Sequence, residues 1–151
     1  MVGIRASSLR VAISAIVAGV TVTPYAQGTA TPALTESRTP DTLDDEAHGV
    51  QHLRYSVVFD GTRLTARGAS RNTQAESSFT VAIVYRLRPS MTSQRADLDL
   101  AIDLMEAVLA AVLPEVGNWS TFGDGFEVAG INTERGLALL ELRFSVLHKL
   151  L

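Results

Sequence analysis

Apolar residues near the N-terminus recur at helical spacing. The residues of this stripe, separated by four, three and four positions, are Leu9, Ile13, Ile16 and Val20. Such spacing places them on one side of an amphipathic α-helix. Ser7 or Ser8 is a suitable N-cap, and Gly19 followed by Pro24 ends the pattern. We therefore predict an N-terminal helix.

Further along, apolar and polar residues alternate, which is typical of strands with one buried face. The first such apolar set is Leu53, Tyr55, Val57 and Phe59. Asp60-Gly61 follows, a pair that favours a two-residue hairpin turn because both positions tolerate positive φ. This predicts a hairpin whose second strand covers 62–69. The polar segment 70–78 is then predicted to be an exposed loop or a protruding hairpin tip.

The clearest strand covers 79–88 and ends at Pro89. Its apolar face consists of Phe79, Val81, Ile83, Tyr85 and Leu87. Arg86 and Arg88 are predicted to project from the opposite face. The last alternating segment, 137–147, has an apolar face formed by Leu140, Leu142, Phe144 and Val146. Glu141, Arg143 and Ser145 alternate with that set.

Between these two strands, residues 94–113 show the clearest helical pattern. The apolar stripe consists of Leu98, Ile102, Met105, Leu109 and Val112. Thr92 or Ser93 is the predicted N-cap, and Pro114 ends the helix. A loop with several glycines follows, and its segment "FGDGFE" (122–127) is predicted to be a turn.

The resulting order is helix, long loop, hairpin, strand, helix, strand. We predict an α+β fold with a mostly antiparallel sheet, a long hairpin, an N-terminal helix and a second helix packed on one face. At 151 residues, one domain over 1–151 is the natural expectation. Within it, an irregular segment covers about 24–51, which is unusually long for a compact domain and therefore predicted to be functional.

Composition excludes several classes of function. The 46% hydrophobic and 19% charged residues indicate a globular chain. A formal net charge of −3 and the lack of a basic, aromatic-rich segment argue against recognition of nucleic acid or an anionic membrane. The absence of cysteine excludes disulfides, thiol nucleophiles and zinc–thiolate sites. It suits a cytosolic or virion protein, although a secreted protein without disulfides stays open.

The N-terminal segment has a second interpretation, a secretory signal peptide. Arg5 and Arg10 precede an apolar run over 11–22, and Gly28 and Ala30 could form a cleavage site. This run is too short to span a bilayer, which takes roughly 20 residues. The helical stripe favours a helix of the folded domain instead.

No residue is predicted to be catalytic, cofactor-binding or metal-binding, and the chain is not predicted to be an enzyme. His48 and His52 are four apart beside acidic residues, but a third well-placed ligand is missing, so a solvated linker is preferred. His148 lies too near the end of the chain to indicate a catalytic arrangement. Trp119 and Phe122 suggest either a contact patch or, for the tryptophan, a plug at the edge of the core.

Acidic residues also recur along the second helix. They are Asp97, Asp99, Asp103 and Glu106. Paired carboxylates could serve acid–base chemistry, but these positions lie opposite the apolar stripe. We therefore interpret them as a solvated face. No cofactor is expected.

Three features instead indicate assembly with neighbouring subunits. Arg86 and Arg88 lie on the polar face of a strand, the tip at 70–78 is polar, and the irregular segment 25–51 is long. Sheet edges and loops that become ordered on binding are common means of joining subunits.

The order of elements resembles the tail terminator (tail completion) proteins of long-tailed bacteriophages. The similarity rests on the pattern of "SSFTVAIVYRLRP", "RADLDLAIDLMEAVLAAVL" and "LALLELRFSVL", and it covers most of the chain. The resemblance implies a structural virion protein that forms a hexameric ring. It implies contacts with the tail tube protein and the head-side connector, and DNA passing through the lumen without sequence-specific binding. It implies no membrane contact and assembly in the host cytoplasm.

Two alternatives stay open. One is another head–tail connector, neck or tail protein of similar architecture. The other is a secreted binding domain from which residues 1–30 have been cleaved.

Overall fold

In the part of the chain that the structure describes, a five-stranded sheet carries two helices on one face, and the fold class is the predicted α+β. The computed structural model describes residues 3–24, 32–37, 52–66, 74–113, 120–132 and 136–150. The elements in chain order are α1 (Ala6–Ala18), β1 (Thr35–Glu36), β2 (Arg54–Ala66), β3 (Gln74–Arg86), α2 (Met91–Val112), β4 (Ser120–Asn132) and β5 (Leu137–Lys149). Among these described strands the order is β1-β2-β3-β5-β4, with the short β1–β2 pair parallel and the other pairs antiparallel.

Side chains on the helix-covered face align in rows across the sheet. One row runs from Phe59 through Phe79 and Phe144 to Gly123. The rings of Phe79 and Phe144 have their centroids 6.0 Å apart. The apolar faces predicted for β3 and β5 are confirmed, because all nine of those residues are buried. These two strands form the centre of the core.

The N-terminal helix is part of this core. Leu9, Ile13 and Val17 are buried, while the Tyr55 hydroxyl of β2 donates a hydrogen bond to the Ser14 carbonyl oxygen at 3.0 Å. The predicted serine cap is wrong: Arg5 is the N-cap residue and makes no side-chain cap. The helix begins at Ala6, and the chain just before it is joined to β5 by a hydrogen bond from the Ile4 backbone N–H to the Lys149 carbonyl oxygen at 2.9 Å.

The second helix begins three residues earlier than predicted. Ser90 is its N-cap, accepting a hydrogen bond from the Ser93 backbone N–H at 3.1 Å, so neither Thr92 nor Ser93 has that role. The buried side of this helix also differs from the predicted apolar stripe. Its buried residues are Asp97, Ala101, Leu104, Met105, Val108 and Val112, whereas Leu98, Ile102 and Leu109 are only half-buried.

The predicted turn at Asp60-Gly61 is wrong. β2 continues through both residues, with an irregularity in its pairing between Phe59 and Gly61. Asp60 is thus a bulge residue, and its carboxylate accepts a hydrogen bond from the Thr80 hydroxyl at 2.7 Å. The long hairpin is instead β2–β3, and residues 74–78 of the predicted loop belong to β3. Residues 67–73 lie outside the described part of the chain.

The glycine-rich segment 122–127 is also not a turn, because it lies within β4. This strand has irregular pairing between Gly123 and Gly125 and again between Val128 and Gly130. A Cβ on Gly123 would lie 3.3 Å from Cδ2 of Leu113, so glycine allows the end of α2 to approach the strand. Within the irregular segment predicted over 24–51, the structure describes residue 24 and residues 32–37, and the latter contain β1.

Candidate functional site

The buried carboxylate of Asp97 forms the most extensive polar cluster in the described residues. It accepts hydrogen bonds from the Arg88 backbone N–H at 2.7 Å and from the Arg88 guanidinium at 2.6 to 3.1 Å. Asp97 is fully buried, whereas the Arg88 side chain is partly exposed. The expectation that Asp97 lies on a solvated face is therefore wrong. So is the placement of Arg88 on the polar face of a strand, because β3 ends at Arg86.

This ion pair fixes the corner between β3 and α2. A buried carboxylate needs both charge compensation and hydrogen bonds, and Arg88 supplies both. Asp97 also lies on the same side of α2 as Ala101, Leu104 and Val108, which explains why the buried side differs from the predicted stripe. The sequence pattern missed this role because an aspartate in an amphipathic helix normally marks the solvent side.

His52 and Tyr85 lie beside the Arg88–Asp97 pair. Their rings pack edge to face with centroids 4.9 Å apart, and His52 Nδ1 accepts a hydrogen bond from the Arg86 backbone N–H at 2.9 Å. Burial, and secondly the positive charge of Arg86, lowers the pKa of His52 to about 4, against an opposing effect of Asp97. Burial, and secondly the negative charge of Asp97, raises the pKa of Tyr85 to about 12, with Arg88 opposing.

Both groups are consequently neutral at pH 7. A general acid or base works best with a pKa near the operating pH, so neither shift favours acid–base chemistry. His48, the other half of the histidine pair, lies outside the described residues. Within the described ranges, no group of three histidines or acidic residues could hold a metal ion. The other acidic residues of α2, which are Asp99, Asp103 and Glu106, are exposed as predicted.

A second polar chain, which the sequence did not indicate, crosses the far end of the sheet. The Ser77 Oγ lies 2.8 Å from His148 Nε2 and 2.6 Å from the Thr62 hydroxyl. A serine beside a histidine resembles a nucleophile and its base. Ser77 and His148 are both fully buried, however, so a substrate cannot reach the serine oxygen. The chain joins β2, β3 and β5 and satisfies polar groups within the sheet.

The long strands that flank the central pair, β2 and β4, expose apolar side chains on the helix-covered face. On β2, Phe59 is 44% and Leu64 is 46% exposed; we call these two residues the β2 edge patch. On β4, Val128 is 37% and Ile131 is 48% exposed; we call these the β4 edge patch. An exposed sheet edge is one place where another chain can pair, and apolar side chains beside it add contact area. These patches are the candidate functional site.

The edge strands also differ from the central ones in how regularly their backbones pair. Within the described chain, β4 pairs only with β5, and beyond Tyr55 the strand β2 pairs only with β3. Each edge strand carries two irregularities in its pairing. Bulges are a common means of limiting uncontrolled pairing at an exposed edge.

The opposite face of the sheet is covered by neither α1 nor α2. Arg86 is exposed there as predicted, and Arg54 lies on the same side, since it pairs with Val84. Phe122, also on this face, is half exposed. Trp119 lies outside the described residues.

Comparison with known proteins adds no identification. Neither a protein-family model nor a curated protein sequence matches the chain. Neither described helix is both long and apolar enough to cross a membrane.

Proposed function

We propose that this protein is a structural subunit that assembles into a ring, with the role of a tail terminator in a long-tailed bacteriophage. In that role it caps the finished tail tube and presents a surface to the head-side connector. The ring is a hexamer, DNA passes through its lumen without sequence-specific binding, and the protein is part of the virion. The chain has no enzymatic role in this proposal.

The observation that carries the proposal is the pair of exposed edge patches at opposite edges of the same face of the sheet. A subunit of a closed ring needs two different surfaces, one for each neighbour. The β2 and β4 edge patches meet that need, because they lie on the first and last of the four long strands. The α+β fold with its long β2–β3 hairpin is also the architecture that the resemblance implies.

The position of α1 supports this proposal over a secreted domain cleaved near residue 30. Removing α1 would expose the core around Leu9, Ile13 and Val17 and break the Ser14–Tyr55 hydrogen bonds. Loss of large buried side chains typically costs about 2–5 kcal/mol each. Such a cleaved chain would therefore be strongly destabilised.

The test is the mass of the full chain in solution by light scattering, combined with intact-mass analysis of its N-terminus. We expect a closed ring of 16.2 kDa subunits that keep their first residues, either alone or after addition of tail tubes. Tubes grown with the protein should stop elongating. A subunit that begins near residue 31, or one that neither assembles nor affects tubes, would refute the proposal. Rings that bind elsewhere in the particle would favour another connector or tail protein.

A further inference from the structure

We propose that the turn formed by His52 and Leu53 is a conformational switch that holds β1 against β2 and releases it in acid. In the closed state, which is the one described above, Leu53 has a strained backbone and β1 is paired with β2. In the open state the strain is relieved and β1 separates from the sheet. The proposal does not depend on the ring, because it concerns contacts within one copy of the chain.

Leu53 adopts an unfavourable backbone conformation. Its φ is +60°, in the left-handed region where the Cβ of an ordinary side chain lies too close to backbone atoms. The other described residues with positive φ are all glycines, which have no Cβ. A leucine stays in this region only where the surrounding structure imposes it, so the turn stores strain that a local rearrangement can release.

Hydrogen bonds to two different strands impose this conformation. The Leu53 backbone N–H donates to the Val84 carbonyl oxygen of β3 at 2.8 Å, and the Leu53 carbonyl oxygen accepts from the Thr35 N–H of β1 at 3.0 Å. The Leu53 side chain is also buried. With the N–H held by the central strand β3, a large change in φ turns the carbonyl oxygen away from Thr35. Relief of the strain and loss of the bond to β1 are therefore coupled.

β1 has few contacts of its own. It consists of two exposed residues, and among the described strands it pairs with β2 alone. The Ser37 N–H just after it donates to the Tyr55 carbonyl oxygen at 2.8 Å, and Leu34 just before it is buried. The Arg10–Glu36 ion pair is exposed on both sides and contributes little. An element with so few contacts opens at a lower free energy than the whole domain.

His52 gives the turn its response to acid. Its Nδ1 accepts a hydrogen bond from the Arg86 backbone N–H at 2.9 Å, and its ring packs edge to face on Tyr85. A protonated imidazole donates from both ring nitrogens, so protonation would set two donors against each other at this contact. The residue that precedes Leu53 would then lose its attachment to β3.

The groups beside His52 do not compensate a positive charge on its ring. Among the described residues these groups are Tyr85 and Arg86 of β3, Arg88, and Asp97 of α2. Asp97 alone is negative, and its carboxylate is already bound by Arg88. Burial, and secondly Arg86, lowers the pKa of His52 to about 4. The closed state therefore has a neutral histidine, and acidification below pH 6.5 favours the open state, in which the ring is hydrated.

Hydrogen exchange of backbone amides in the full chain tests whether β1 opens separately. The amides of Thr35 and Ser37 donate to β2 in the closed state, while the Val81 amide in the central strand reports unfolding of the whole domain. We expect Thr35 and Ser37 to be at least about tenfold less protected than Val81, and insensitive to low urea concentrations that speed exchange at Val81. One common protection factor and urea dependence for all three amides would overturn the proposal.

The same amides measured at several pH values test the role of His52. In the unmodified protein, after correction for intrinsic exchange, we expect β1 to open about tenfold more often at pH 4 than at pH 6.5. His52→Asn keeps an acceptor for the Arg86 N–H but does not titrate in this range, so the increase should disappear. Glu36→Gln is the matched control, because it removes the carboxylate of β1 and leaves His52 in place. An increase that persists in His52→Asn, or disappears in Glu36→Gln, would overturn the proposal.

Two substitutions of Leu53 separate strain from packing, because both remove the buried side chain. At an ordinary strand position glycine is less favourable than alanine. Here we expect the reverse, with β1 opening about threefold less often in Leu53→Gly than in Leu53→Ala, since only glycine adopts positive φ without strain. Equal opening, or less opening in Leu53→Ala, would contradict a strained turn. If either variant fails to fold, the urea and pH dependence of the unmodified protein decides the question.

Discussion

The central strands, β3 and β5, differ from the edge strands, β2 and β4, in the regularity of their pairing and in the exposure of their apolar side chains. All four strands are 13 residues long, but the central pair runs in uninterrupted register, whereas each edge strand has two pairing irregularities. The central strands bury their apolar side chains, and the edge strands expose several. The centre therefore carries the stability of the fold, while the edges are available for contacts with other molecules.

The largest difference between the two regions is expected when one phenylalanine is truncated in each. Phe144 of β5 is buried and stacked on Phe79, whereas Phe122 of β4 is about half exposed. We expect Phe144→Ala to lower the free energy of unfolding by about 3–5 kcal/mol and Phe122→Ala by no more than about 0.5 kcal/mol. Urea unfolding measures both. Equal losses would show that the edge is as much a part of the core as the centre.

The next largest effect is expected at the corner that orients α2. Asp97→Asn removes the charge that Arg88 compensates, and a broken buried pair costs about 3–5 kcal/mol. Because the Arg88 side chain is 41% exposed and can be hydrated, we expect a smaller loss, about 2–3 kcal/mol. Asp99→Asn, on the exposed side of the same helix, is the control and should change little. If Asp97→Asn lowers the free energy of unfolding no more than Asp99→Asn does, the ion pair does not stabilise the fold.

A pH effect is expected from His52 near the same corner. Its pKa is lowered from 6.5 to about 4 in the folded protein, so below pH 6.5 the unfolded chain takes up a proton that the folded one does not. Stability should fall as the pH decreases from 6.5 to about 4 and then level off. With partial solvent screening, the loss is about 1–2 kcal/mol. Urea unfolding at several pH values measures this. Between pH 6.5 and 4, the free energy of unfolding of His52→Asn should fall by about 1–2 kcal/mol less than that of the unmodified protein. Equal losses in the two proteins would contradict the prediction.

The smallest effect concerns the shape of the edge itself. Gly125 has φ of +102° beside the bulge in β4, and a Cβ there would have no atom within 4 Å. Gly125→Ala should therefore cost about 1 kcal/mol through backbone strain alone. The measurement is the melting temperature of Gly125→Ala. The comparison is Ala129→Gly, at the second pairing irregularity of β4, between Val128 and Gly130. An unaltered melting temperature would mean that the bulge does not depend on the glycine.

The same contrast explains what the sequence could predict. The alternation in β3 and β5 is regular because both strands are paired on both sides and covered by helices, so the apolar face of each was correctly predicted. Asp60-Gly61 and "FGDGFE" carry the residues of turns, yet they form bulges within edge strands. Local turn chemistry was outweighed there by pairing with β3 and β5.

Buried polar groups were the second source of error. Asp97 looks like a solvent-facing acid in the sequence, and only the fold brings it to Arg88, nine residues away. Ser77 and His148 are separated by 71 residues, so no local pattern could pair them. The edge patches were missed for a similar reason, since α2 runs from the end of β3 to the start of β4 and leaves Val128 and Ile131 exposed.

If the edges rather than the centre of the sheet hold the proposed ring together, the mass of the Val128→Asp variant in solution should show it. Val128 contributes to the β4 edge patch, so the charged variant should remain folded and fall to the 16.2 kDa monomer. Val11→Asp changes a side chain that is 59% exposed on α1 and should keep the mass of the ring. A Val128→Asp variant that assembles as the unmodified protein does would contradict the account.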